Sequence, residues 1–337
     1  VSEGKRLLIL TRDRKNVSFR QRIEPYLELL AGRGILVEVV ELAPTVWARR
    51  SQIRKAHEFT GVLLHRKTLT AWDAWALDGA AHRLLYDFDD AIMYHARSPT
   101  SPDPRRLHRF RRTMTRAHLV LAGSPVLAEH AQREGARHVA LLPTGLDSRR
   151  YPIKTHYETK GPLRLVWIGS HSTLKQLAAL APVLEAVGKA LPKAVLRIIA
   201  DAPLAVKGLK VENLLWQPDT EGALLAESDI GIAPLPDTPF TRGKCGFKVL
   251  QYMATGLPVV ASPVGVQADY VQSNINGFCA TTPEEWIKAL SRLAGDTALR
   301  KSLGRTGRER ACAKFDFAGL GPKFCHLIHE VLERPVV

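Results

Sequence analysis

Cysteine is scarce in this chain of 337 residues: Cys245, Cys279, Cys312 and Cys325 are the only four, none forms a Cys-x-x-Cys pair, and no histidine cluster accompanies them. That pattern argues against a zinc site and a disulfide framework and suits a reducing compartment. Long apolar runs are missing too. The longest, such as Leu163–Ile168, are strand-sized, far below the roughly 20 residues a membrane helix needs. Residues 1–12 lack the extended apolar segment and small-residue cleavage site of a secretory signal, so a cytoplasmic protein is expected. No Gly-x-Gly-x-x-Gly follows the first apolar run, because Leu10-Thr11-Arg12-Asp13 leads into a polar loop instead. This weighs against a dinucleotide-dependent oxidoreductase.

What is present is an ordinary globular balance, 45% hydrophobic and 24% charged, in a chain longer than one core usually organises. Two domains are expected. The net charge of +15 is uneven, since residues 1–150 hold 26 Lys and Arg against 16 Asp and Glu. A basic field attracts nucleic acid, anionic lipid and phosphorylated substrates alike.

Short apolar runs alternate with helix-length segments throughout. In the first half Leu7–Leu10, Leu36–Val40, Val62–Leu64, Leu84–Phe88, Leu119–Leu121 and Val139–Leu142 read as strands. In the second half Leu163–Ile168, Val195–Ile199, Ile230–Ala233 and Pro258–Ala261 do, with helices starting near Ser172, Glu221, Gly246 and Pro283. Continuous apolar strands separated by helices indicate parallel sheets covered on both faces. The expected class is therefore α/β, with two doubly wound domains facing a central cleft that holds the active site. The polar stretch 151–162, bounded by Pro152 and Pro162, reads as the linker. The predicted divisions are 1–152, 153–318 and a final helix, 319–337, whose apolar face would pack back on the N-terminal domain.

Five segments carry candidate chemistry. Arg242-Gly243-Lys244-Cys245-Gly246-Phe247-Lys248 places glycines and lysines at a helix start, where free N–H groups and the positive dipole end suit a diphosphate. The bland alternative is a turn with solvated lysines. Gly169-Ser170-His171-Ser172-Thr173 follows the first strand of the second half and precedes a helix bearing Lys175; it either holds an anion or merely caps that helix. Tyr86-Asp87-Phe88-Asp89-Asp90, with His95 beyond, ends a strand. Its carboxylates, Asp89 and Asp90 above all, suit sugar hydroxyls or proton transfer. Asp87-Phe88-Asp89 also fits the short Asp-x-Asp pattern of divalent-ion sites, and the alternative is a turn with solvated carboxylates. Finally, Arg20 and Arg22 near the first helix would face a phosphate or an acceptor. The basic amphipathic segment Pro102–Arg116 either covers the core as an ordinary surface helix or meets anionic membrane. No recognition motif or aromatic platform accompanies its arginines, so nucleic acid is not an expected partner.

From about Leu163 to Phe317 the chain strongly resembles the retaining group-1 (family 4) glycosyltransferases of the GT-B class. The resemblance rests on Leu165-Val166-Trp167-Ile168-Gly169, on Ala226-Glu227-Ser228-Asp229-Ile230-Gly231-Ile232-Ala233-Pro234 and on Tyr252-Met253-Ala254-Thr255-Gly256-Leu257-Pro258-Val259-Val260-Ala261, in order and spacing; Leu142-Pro143-Thr144-Gly145-Leu146-Asp147 extends it more loosely. The chain departs from that family where two glutamates separated by seven residues fall on Gly243 and Gln251, and where a diphosphate-binding arginine falls on Ser170.

The resemblance implies two Rossmann-like domains, the first binding acceptor and the second a nucleotide-sugar. It implies donor diphosphate contacts at Gly169, Ser170, Lys175, Lys244, Gly246, Phe247 and Lys248, a ribose contact at Gln251, and further phosphate or acceptor contacts at Arg20 and Arg242. Asp89 and Asp90 are the catalytic candidates, and no metal or cofactor is required. The implied reaction moves a sugar to a glycan or lipid-linked acceptor with retention, in bacterial cell-envelope or polysaccharide synthesis, on the inner face of the membrane. Two alternatives stay open: a non-catalytic relative binding nucleotide-sugar or a partner transferase, and a nucleotide-sugar epimerase.

Overall fold

The computed structural model describes residues 4–159 and 161–333. Residues 1–3 of the expected first domain, Lys160 of the expected linker and residues 334–337 of the expected final helix lie outside them. The chain forms two compact units. One comprises the chain up to Gly145, Thr238–Cys245 and the chain from Phe317; the other comprises Leu146–Asp237 and Gly246–Asp316.

The first unit contains β1 (Arg6–Thr11), β2 (Leu36–Glu41), β3 (Gly61–His65), β4 (Leu84–Phe88), a small antiparallel ribbon of β5 (Tyr94–His95) and β6 (Ser98–Pro102), then β7 (Leu119–Ala122) and β8 (Val139–Leu141). Six of these form one parallel sheet in the order β2-β1-β3-β4-β7-β8. Side chains alternate across it as the pleat requires. Leu8, Leu10, Val62, Leu64, Tyr86 and Phe88 enter one core; Leu7, Ile9, Leu63, Leu85 and Leu121 enter the other. Both faces are covered, which is why these strands read as unbroken apolar runs.

The helix Phe317–Glu333 closes the second of these faces. Leu320, Phe324, Ile328, Val331 and Leu332 are buried there, and the Phe324 ring stacks on Tyr26 with centroids 4.8 Å apart. Gly61 makes room for it, since a Cβ at that position would lie 2.6 Å from Leu332 Cδ2. The last helix therefore packs on the sheet built from the first residues of the chain, as its apolar stripe implied.

The second unit contains β9 (Leu163–Ile168), β10 (Ala194–Ala200), β11 (Lys210–Leu215), β12 (Ile230–Ala233), β13 (Val259–Ala261) and β14 (Gly277–Cys279), all parallel, in the order β11-β10-β9-β12-β13-β14. In such sheets the chain reverses direction of winding between two neighbouring strands, and ligands settle at their carboxyl ends. That place is β9/β12 in this unit and β1/β3 in the first.

Candidate functional site

In the second unit, β9 and β12 pair only through Ile230 with Leu165 and Gly231 with Val166, then diverge. The divergence leaves the Ile168 N–H and Ile232 C=O without ladder partners. Tyr252, on the buried helix Phe247–Thr255, satisfies both: its hydroxyl accepts from Ile168 N–H at 3.0 Å and donates to Ile232 C=O at 3.2 Å. Burial raises the Tyr252 pKa, keeping the hydroxyl protonated for this bridge.

Two glycine turns open beside the split. After β9, Gly169 sits against the indole of Trp167, where a Cβ would approach Trp167 Cη2 to 2.5 Å. The Ser170 N–H donates to Thr173 Oγ1 at 3.1 Å, Ser170 Oγ lies 2.8 Å from Ser172 Oγ, and the His171 N–H donates to the Asp201 carboxylate. The helix His171–Ala178 thus begins with an anionic oxygen at its positive end; Lys175 lies exposed along it. The second turn is Gly246, held at φ +64° before Phe247, a conformation that side chains resist. Two residues on, Lys248 Nζ lies 4.4 Å above the Trp167 ring. Trp167 therefore brings the Gly169 turn and the Gly246 turn together.

Gln251 lies deeper. It is 4% exposed, and its Nε2 donates to the Tyr151 hydroxyl at 3.2 Å. Tyr151 donates to Glu221 Oε1 at 3.0 Å, and Trp216 Nε1 donates to Glu221 Oε2 at 2.7 Å. Burial, and then the Glu221 charge, push the Tyr151 pKa up, so it remains a donor.

In the first unit, a cavity of about 650 Å³ lies at the carboxyl ends of β1 and β3, with Thr11, Arg12, His65, Arg66, Asp90 and Arg109 in its wall. Beneath it runs a buried network. Ser18 Oγ donates to Asp89 Oδ1 at 2.8 Å, so His65 Nε2–H donates to Ser18 Oγ at 3.0 Å and His65 Nδ1 accepts from Thr11 Oγ1 at 3.1 Å. Burial drives the His65 pKa down to about 4 against the pull of Asp87 and Asp89, leaving the ring neutral. Burial alone would raise the Asp89 pKa, but the Arg66 and Arg22 charges and the Ser18 hydrogen bond outweigh it and hold the carboxylate ionised.

These contacts sort the expected carboxylates and arginines. Arg22, expected beside Arg20 at a ligand surface, is instead fully buried: its Nη2 meets Asp87 Oδ1 at 2.6 Å and its Nη1 donates to Leu142 C=O at 2.8 Å. Asp87 is thereby committed to an internal ion pair, and Asp89 to Ser18 and Arg66 (3.2 Å). Asp87-Phe88-Asp89 consequently does not present two open carboxylates for an ion. Asp90 does reach the cavity, and Arg66 at 3.4 Å and Lys244 at 3.0 Å flank it. Lys244 also lies 4.4 Å over the Phe240 ring. It belongs with Arg242 to the segment Thr238–Cys245 of the first unit, whereas Gly169, Ser170, Lys175, Gly246, Phe247, Lys248 and Gln251 belong to the second. Arg20 is half-buried on the helix Val17–Arg22. His65, Thr11 and Ser18 were not anticipated, although the polar run His65-Arg66-Lys67 at the end of an apolar strand was a visible signal.

Residues 162–296, spanning the split between β9 and β12 and both glycine turns, match the family model of the glycosyl transferases group 1. This part of the chain is similar to a group 1 glycosyl transferase domain. Within the curated proteins, the D-inositol 3-phosphate glycosyltransferase of Salinispora arenicola (strain CNS-205) is 35% identical over 82 residues, which are 24% of this chain and 18% of that protein. The match thus spans less than a fifth of that relative's length. The fold extends much further. Sucrose-phosphate synthase from Thermosynechococcus elongatus superposes with a TM-score of 0.76 at 15% identity, covering 97% of this chain and 98% of that one. HepE of Anabaena, solved in complex with UDP and glucose, gives 0.73 at 17% identity over 97% and 100%. A glycosyltransferase from Rickettsia africae gives 0.71 at 14% over 98% and 100%. The two six-stranded parallel sheets accordingly have the GT-B fold.

Proposed function

We propose that this chain is a glycosyltransferase that moves a sugar from a nucleoside diphosphate sugar to an acceptor with retention of anomeric configuration. The observation that carries the reading is the placement of the family match: it contains the split strands and both glycine turns, joined at Trp167. On this reading the donor diphosphate takes the place of the Asp201 carboxylate at the start of His171–Ala178. Ser170, Lys175, Gly246, Phe247 and Lys248 hold it, and the side-chain carbonyl oxygen of Gln251 faces the ribose. Fixed positive groups then stabilise the charge that develops on the leaving diphosphate. The acceptor proton passes to that leaving phosphate, so no protein nucleophile is assigned.

The first unit supplies the acceptor site. Asp90, poised between Arg66 and Lys244, orients the acceptor hydroxyl, and Asp89 serves as the buried anchor of the His65 relay rather than as a base, because its charge is held too firmly. The cavity wall carries Arg12 and Arg109 without an ion pair among the described residues, which suits an acceptor bearing phosphate, such as a lipid-linked one at the inner face of a membrane. On this reading the activity belongs to cell-envelope or polysaccharide synthesis.

The test is to incubate the protein with UDP-, GDP-, ADP- and TDP-sugars and a membrane lipid extract, following nucleotide release and the configuration of any product by proton NMR. Transfer from an α-linked donor to an α-linked product supports the reading. Nucleotide release with free sugar and no glycosylated product favours the hydrolysing epimerase instead.

A further inference from the structure

We propose that Trp47, Trp72, Trp75 and Arg50 form a surface that docks this protein on membrane containing anionic lipid. Six tryptophans occur in the chain. Trp167 and Trp286 are fully buried and Trp216 is tied to Glu221, but Trp47 is 81% exposed, Trp72 66% and Trp75 59%. Rings of this size are seldom left in water, and an indole with one apolar and one polar edge is at home in the headgroup layer of a bilayer.

The three rings belong to one surface. Trp47 lies on the helix Val46–Arg54 and shares its face with Arg50, three residues on. The Arg50 guanidinium lies 5.5 Å over Trp75 on the helix Ala71–Asp78, and Trp75 meets Trp72 at 6.2 Å. Val46, 40% exposed, extends the apolar area. The surface is rigid because the two helices are locked from beneath by the buried pair Arg49–Asp73 at 3.1 Å. Neither helix offers an unpaired carboxylate there: Asp73 is buried and Asp78 is held by Arg116 at 3.0 Å.

A soluble polysaccharide is the competing occupant, and the geometry disfavours it. Trp72 and Trp75 stand edge to face at 88°, so they make no flat platform for a sugar ring, and Arg50 already covers Trp75. The Arg50 charge and the exposed indoles fit an anionic bilayer instead. The position also suits the site. Thr68 lines the cavity three residues before the helix Ala71–Asp78 begins, and Lys67, also in the cavity wall, contacts Asp73 at 3.6 Å. A membrane held by the tryptophans would therefore lie beside the acceptor cavity. In that respect the proposal rests on the reading of a lipid-linked acceptor.

The test is co-sedimentation with phosphatidylcholine vesicles, with and without phosphatidylglycerol, for the wild type and for Trp47→Ala/Trp72→Ala/Trp75→Ala. Nucleotide-induced stabilisation is measured on the same samples. Binding to the anionic vesicles that weakens about tenfold in the triple variant, and loses much of its salt sensitivity in Arg50→Gln, supports the surface. Wild type that stays in the supernatant, or a triple variant that sediments as the wild type does, overturns it. Retardation by dextran in a native gel, lost in the triple variant and without vesicle binding, overturns it in favour of a glycan surface. Vesicle binding without any nucleotide response would keep the docking surface while the glycosyltransferase reading fails; the reverse result would keep that reading and remove the surface.

Discussion

Gly243 rests on Ala91: a Cβ at residue 243 would lie 2.6 Å from the Ala91 Cβ and 3.1 Å from Leu127 Cδ2. Its φ of −84° is open to any residue, so packing and not backbone conformation restricts the position. The glutamate that the group 1 resemblance leads one to look for here has no room in this chain.

Restoring that carboxylate is therefore expected to harm the protein. Gly243→Glu should lower stability by about 1–3 kcal/mol through overpacking, with Gly243→Ala milder. Urea denaturation checks this, and an unchanged midpoint for Gly243→Glu would show that the segment can move aside.

Tyr252→Phe removes one oxygen from the join between β9 and β12. Both the Ile168 N–H and the Ile232 C=O lose their partner, which should cost about 1–3 kcal/mol. Nucleotide affinity should fall as well, because the Gly169 turn hangs from that strand end. Full affinity together with full stability would mean water replaces the hydroxyl without loss.

Acid should weaken the first unit before its carboxylates are reached. The His65 pKa is about 4 in the folded protein against 6.5 ordinarily, so between these values the unfolded chain takes up the proton and the folded one does not. Stability should fall as the pH drops from 6.5 to 4, by about 3 kcal/mol in all, and be fully present above 6.5. Denaturation curves for the wild type and His65→Gln across this window test the sign; the variant should be flatter. Protonation of Asp89, whose pKa is depressed, falls below the window.

Asp90→Asn keeps the shape of the cavity wall but removes the charge between Arg66 and Lys244. On the proposed reading, transfer should slow by about 100-fold while nucleotide affinity stays as in the wild type. Equal losses in both would place Asp90 in a structural role.

Much of this fold was legible beforehand because its strands are buried on both faces. All ten apolar runs, from Leu7–Leu10 to Pro258–Ala261, lie within or overlap observed strands. β11 escaped because Lys210-Val211-Glu212-Asn213 at the sheet edge is only half-buried and polar, and β14 because three residues, Gly277–Cys279, carry no period. The glycine turns were legible from composition. Contacts between distant segments were not: nothing local to Lys244 signals that it meets Asp90, 154 residues earlier. Nor does Arg22 announce its burial: read as lying at a helix start, it is instead the last residue of the helix Val17–Arg22, and an arginine there reads the same whether Asp87 or a ligand awaits it.

The most direct test of the central claim is a thermal-shift panel of UDP, GDP, ADP and TDP with their common sugar conjugates, on the wild type and on Lys175→Ala. A ligand that binds only the folded state raises the melting temperature. The account predicts a selective rise with one nucleotide that is lost or strongly reduced in Lys175→Ala. No response to any nucleotide, or a rise indifferent to Lys175, would contradict it.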